Sequence, residues 1–182
     1  MKSAFAVAIL RILLSPVFFF AFIWDFTEIA IVLYFAAFVS DIADGFIARR
    51  QGITSSSPTE SYLDPIADFV MVLVSFYAFS LKQMYSSLIL PMFALMFLFF
   101  VFTSNREQPL YDPVGKYYGT FLMVMIGVTL ILPLKPVINA ILILIIVYSI
   151  GLIIYRSGYL LNRRKANEVL GLDNKMKFMR LV

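Results

Sequence analysis

The sequence contains no cysteine and no histidine. Disulfides, thiolate nucleophiles, zinc sites of the Cys/His kind and imidazole acid–base chemistry are therefore excluded. Charge is scarce as well, at 14% of residues against roughly 25% in ordinary soluble chains. Any catalysis has to run on carboxylates, Lys or Arg, hydroxyls or a hard metal ion. What is abundant is apolar surface: 62% of the 182 residues are hydrophobic, and the mean hydropathy is +0.90. A soluble core of this length cannot bury so much, so the composition places the chain in a membrane.

A helix needs about 20 mostly apolar residues to cross the hydrocarbon. Six stretches come near that length: Ala4–Ile23, Ile29–Ile47, Pro65–Leu81, Ser87–Thr103, Tyr118–Leu132 and Pro136–Tyr155. The expected fold is an all-α integral membrane protein of six transmembrane helices. Residues 1–155 form one membrane domain and residues 156–182 a basic cytoplasmic tail. The breaks near Asp25, Lys82 and Pro133 are short, so neighbouring helices should be antiparallel hairpins. The first stretch is too long for a signal peptide, and Phe22-Ile23-Trp24 offers no small-residue cleavage site.

All of the Lys and Arg residues except Lys82 and Lys135 fall on one side of such an arrangement. The positive-inside rule then puts both termini in the cytoplasm, in an inner (cytoplasmic) membrane. The tail from Arg156 onward reads as an anchor on anionic headgroups; no nucleic-acid partner is expected.

Carboxylates at a membrane boundary are costly and mark a functional site by default. Asp41 and Asp44, spaced i, i+3, share one face at the end of the second helix. Asp64 and Asp68, spaced i, i+4, share one face near the start of the third. One helix descends to the cytoplasm and the next returns from it, so both pairs are expected at one depth, side by side. Four acids held together would repel, and cations relieve that; oxygen-only ligands select hard ions such as Mg²⁺ or Mn²⁺. Two divalent ions about 3.5–4 Å apart would suit four aspartates and phosphoryl transfer. Gly45 and Ala48 leave a groove beside these acids, with Arg49 just beyond. Small residues also serve plain helix packing, but the adjacent aspartates favour a ligand site.

The run Asp41-Ile-Ala-Asp44-Gly45-Phe-Ile-Ala48-Arg49, followed by Asp64-Pro-Ile-Ala-Asp68, resembles the signature of the CDP-alcohol phosphotransferases, D-x-x-D-G-x-x-A-R, eight residues, then G-x-x-x-D-x-x-x-D. Seven of its eight fixed residues match. The departure is at the glycine: ten residues follow Arg49, and Glu60 takes its place. Ser57-Pro58-Thr59-Glu60 is a capping box with proline at the first helical position, so the third helix is expected to start through its cap. Glu60 also lies one turn before Asp64, where it could approach the metals.

The resemblance implies that a CDP-linked lipid, CDP-diacylglycerol or similar, gives its phosphatidyl group to an alcohol while CMP leaves. Asp41, Asp44, Asp64 and Asp68 would hold two divalent cations, Asp68 would also be the base, and Gly45, Ala48 and Arg49 would line the cytidine-diphosphate site. Leu63–Asp68, with Arg11-Ile12 and Pro16, is most similar to the phosphatidylglycerophosphate synthase branch, which implies glycerol 3-phosphate as acceptor and Arg106 and Lys116 as candidate binders of its phosphate. Positive-inside anchoring accounts for those two residues equally well. Phe69 stands where that branch usually has lysine. Transfer to phosphatidylglycerol, as in cardiolipin synthases, and a degenerate member without turnover are the alternatives within the family. An intramembrane prenyltransferase and a cation transporter are the readings outside the family. The first lacks the D-G-x-x-A-R element, and the second would spread its acids across membrane depth. Relatives are typically homodimers, and a homodimer is expected.

Overall fold

The computed structural model describes residues 2–50, 58–103 and 117–179, with side chains over 7–40, 63, 65–103 and 117–159. The described chain is all helical: α1 (Lys2–Ile23), α2 (Thr27–Arg50), α3 (Pro58–Leu81), α4 (Ile89–Thr103), α5 (Tyr118–Ile131) and α6 (Lys135–Met179). No strand occurs among the described residues. The described part of α3 runs from Pro58; Ser57 of the expected capping box lies outside the described residues. Helix α6 runs through the apolar-to-basic change at Tyr155 and on to Met179, because loss of apolarity alone does not end a helix.

By length and composition, Lys135–Tyr159 of α6 is apolar enough to cross a membrane, with a mean hydropathy of 2.9. Among the described residues, the other five helices carry apolar stretches of 10–17 residues.

Helices α1 and α3 lie parallel and in register from Arg11 and Asp68 onward. Arg11 meets Asp68, the Ser15 hydroxyl meets the Met71 sulfur at 3.3 Å, and Phe19 stacks on Tyr77. Phe22 then lies edge-on to Phe79, and Asp25 pairs with Lys82 at 2.6 Å. Each rung joins residues 56 to 58 apart. Helix α2 also packs on α1, where the Phe18 and Tyr34 rings meet at 6.1 Å; Ala30 and Ala37 of α2 are buried. Helix α5 closes the group against α2 and α3. There Tyr34 donates to the Met123 carbonyl, and the Tyr85 and Thr129 hydroxyls meet at 2.8 Å. Among the described residues α2 and α3 are thus joined through α1 and α5, and they form no main seam of their own. The two helices nonetheless run in opposite senses, as expected for successive spans.

Helix α4 lies on α3 through stacked Phe69 and Phe97, 4.0 Å between ring centres, and through Phe76 and Phe93. Helix α6 lies on α5 through the Tyr118–Ser149 hydroxyl contact at 2.7 Å and the Phe121–Tyr148 stack. The core is a continuous cluster that includes Phe18, Tyr34, Phe76, Phe79, Phe93 and Ile126.

Two turns at the end of the bundle remote from Asp68 are built alike. Asp25 and Gln83 adopt left-handed backbone, with φ of 65° and 57°. In each turn the next amide reaches back five residues: Phe26 to Ala21 and Met84 to Phe79, both at 2.9 Å. These are the double closures of a Schellman cap, completed by the amides of Asp25 and Gln83.

Candidate active site

The parallel seam of α1 and α3 positions the site. Apolar and small residues recur along α1 at Ala8, Ser15, Phe18 and Phe22, all buried, and Arg11 falls on that same stripe. The residue is 1% exposed, and its Nη1 donates to Asp68 Oδ1. A buried guanidinium without a counter-charge is strongly destabilising, and Asp68 supplies one. The backbone below Arg11 is held too, since Ser15 Oγ donates to the Arg11 carbonyl at 2.8 Å.

The second Asp68 oxygen, Oδ2, faces α5. A methyl group added at Gly119 would stand 3.7 Å from it, so the missing side chain there leaves the carboxylate accessible from α5. Asp68 and Gly119 line a cavity of about 250 Å³ between α3, α4, α5 and α6. Its walls are mostly apolar, with Phe69, Phe93, Met96, Phe97 and Leu122 among them, and Tyr118 and Arg156 add polar groups.

Arg156 departs from the sequence reading. Counted there with the tail as a headgroup anchor, it is instead 1% exposed. Its guanidinium lies 5.0 Å from the centre of the Phe100 ring, an attractive cation–π arrangement, and Nη2 donates to the Phe100 carbonyl at 3.4 Å. The physical reason is register: the buried stripe of α6 runs Ile138, Ile141, Ile145, Ser149, Leu152, Arg156, and the arginine occupies its last position. The cavity therefore carries an acid from α3 and a buried cation from α6.

Of the expected metal ligands, Asp68 has its side chain described. Asp41 and Asp44 lie on the helical backbone of α2, Asp64 on that of α3, and their side chains lie outside the described residues. The same holds for Gly45, Ala48 and Arg49 on α2 and for Glu60 on α3. Arg106 and Lys116 fall wholly outside the described residues.

The chain is 38% identical over 73 residues to a CDP-diacylglycerol–glycerol-3-phosphate 3-phosphatidyltransferase of Pseudomonas fluorescens. That alignment covers 38% of this chain and 36% of the relative, so it spans about a third of the relative's length. A family model described as CDP-alcohol phosphatidyltransferase matches residues 1–154, which takes in α1 to α5, the apolar part of α6 and the whole cavity except Arg156. A match over that much of the chain shows that it belongs to the CDP-alcohol phosphatidyltransferase family.

Proposed function

We propose that this protein transfers the phosphatidyl group of CDP-diacylglycerol to an alcohol, with glycerol 3-phosphate as the preferred acceptor, and releases CMP. The observation that carries the reading is Asp68, held by Arg11 on one oxygen and turned to a cavity on the other. Family membership and the partial likeness to an enzyme named for glycerol 3-phosphate support the substrates.

Asp68 accepts the proton of the acceptor hydroxyl at Oδ2. The hydroxyl oxygen forms a new bond to the phosphorus that carries diacylglycerol. The bond from that phosphorus to the bridging oxygen breaks, and CMP leaves with the oxygen. Such transfer depends on in-line placement and on neutralising charge. Arg156 provides a buried cation at the cavity, suited to a phosphate oxygen of either substrate. The aromatic walls exclude water from the reacting groups.

Asp41, Asp44, Asp64 and Asp68 would hold the divalent cations, Mg²⁺ or Mn²⁺, that the family implies. The donor set fits, since all four offer hard oxygens, and Asp68 keeps Oδ2 on the cavity side after Oδ1 has met Arg11. Bound there, such ions would neutralise the diphosphate and acidify the acceptor hydroxyl. Gly45, Ala48 and Arg49 would receive the cytidine diphosphate, with Arg106 and Lys116 as further phosphate partners.

We place all six helices in an inner membrane with both termini cytoplasmic, as a homodimer. The membrane reading is supported by outward-facing Leu13, Val17, Val32, Leu95, Phe102, Val147 and Ile154, all exposed, an apolar coat unsuited to water. The apolar cavity walls favour one alternative acceptor, phosphatidylglycerol, whose transfer product is cardiolipin. Purified protein supplied with CDP-diacylglycerol, Mg²⁺ or Mn²⁺ and each of glycerol 3-phosphate, phosphatidylglycerol, inositol 1-phosphate and serine tests both. Metal-dependent CMP release with glycerol 3-phosphate is the expected result. Release with phosphatidylglycerol alone would replace it by the lipid acceptor, and release with none would sink the transferase reading for this panel.

A further inference from the structure

Arg11 belongs to α1, outside the run of acids that carries the chemistry, yet its side chain touches Asp68. We propose that Arg11 is a positioning residue for the transfer reaction: it holds Asp68 by Oδ1 so that Oδ2 alone is presented to the acceptor hydroxyl. The inference rests on the reading of Asp68 as the base.

Three observations support it. First, Arg11 is 1% exposed, and its backbone carbonyl is tied by Ser15, so the guanidinium is a fixed donor. Second, the α1–α3 register is set at several independent rungs from Ser15–Met71 to Asp25–Lys82. The place of Arg11 beside Asp68 is therefore imposed by the whole seam. Third, the two carboxylate oxygens have different surroundings: Oδ1 meets Arg11, and Oδ2 lies on the cavity side by Gly119. A carboxylate without the first contact would swing through a broad range of its terminal torsion; its two oxygens are equivalent, so it is the breadth of that swing that misdirects its lone pairs. Only part of its population would then aim a lone pair at the acceptor. Misplacement of a reacting group by about 1 Å can cost about 10²-fold in rate.

The test is a double-mutant cycle on kcat and KM with Arg11→Met, Arg11→Lys, Asp68→Asn and the pair Arg11→Met/Asp68→Asn. Folded protein is checked by thermal melting in detergent and by CDP binding. We expect Arg11→Met to lower kcat about 10- to 100-fold while KM for both substrates stays within about twofold, the cost of misplacement. Arg11→Lys should recover part of the loss, since it restores a donor but lacks the planar fork. In the Asp68→Asn background, removal of Arg11 should change kcat by less than about twofold, because nothing remains for it to aim. A full loss from Arg11→Met in that background would show that Arg11 acts independently of Asp68, and a rise in KM alone would make it a substrate ligand. Either outcome overturns the inference. Should Arg11→Met fail to fold, Arg11→Lys decides by the same split: lowered kcat at constant KM supports positioning, and unchanged kcat refutes it. A near-normal rate for Asp68→Asn would instead remove the base itself, whereas an inactive Asp68→Asn beside an unimpaired Arg11→Met removes only the role of Arg11.

Discussion

Asp25 and Lys82 meet at 2.6 Å, 57 residues apart in sequence, the same separation that joins Arg11 to Asp68 at the other end of the α1–α3 seam. The two ion pairs do different work. The Asp25 side chain is 80% exposed and that of Lys82 is 31% exposed, and exposed pairs contribute about 0–1 kcal/mol. The aromatic rungs between them hold the register. Lys82→Met should therefore lower the melting temperature by at most a few degrees and leave kcat unchanged. Thermal melting and CMP release on the same preparation check this; a large loss of activity would show that the remote pair sets the site.

The Schellman caps give a stability prediction. Gln83 takes a left-handed conformation that costs a non-glycine residue about 1–2 kcal/mol. Gln83→Gly relieves this strain, although glycine gives back part of the gain through its freer unfolded chain. A net stabilisation of about 0.5–1 kcal/mol is expected, read as a raised melting temperature. A lowered one would show that the Gln83 side chain contributes more than its backbone strain costs.

Arg156→Met should reduce kcat/KM for a phosphorylated acceptor about 10- to 100-fold, the scale of a lost charge-assisted contact, with Arg156→Lys intermediate. The two variants are compared across concentrations of glycerol 3-phosphate and of CDP-diacylglycerol, which assigns the contact to one phosphate or the other. Unchanged kinetics for both would reduce Arg156 to a packing residue over Phe100.

Gly119 makes a steric prediction. At 3.7 Å from Asp68 Oδ2 an added methyl is in ordinary contact, so Gly119→Ala should fold normally and keep most of its turnover. Gly119→Leu would fill the space beside the carboxylate and should lose more activity with a bulky acceptor than with a small one. Equal losses for glycerol 3-phosphate and phosphatidylglycerol would show that the acceptor does not pass this position.

Much of this architecture could be read before any coordinates. Long apolar runs separated by short polar breaks gave six helices. Asp68 was legible as the last acid of a spaced set. The roles of Arg11 and Arg156 were not, because a count of basic residues treats every arginine on one side alike. Periodicity was of little help. In α6 the exposed Ile143, Val147 and Ile154 are as apolar as the buried Ile141, Ile145 and Leu152, so no polar face marks the buried stripe. The cavity needed tertiary contacts of four helices. The pairing of α1 with α3 arises from side-chain rungs that sequence spacing does not reveal.

The most direct test of the central claim is CMP release by Asp68→Asn, measured beside the unaltered protein with CDP-diacylglycerol, divalent cation and the active acceptor. On general-base magnitudes we expect a loss of about 10²-fold or more, with melting behaviour and CDP binding retained. A variant that releases CMP at a near-normal rate would contradict the assignment of Asp68 as the base.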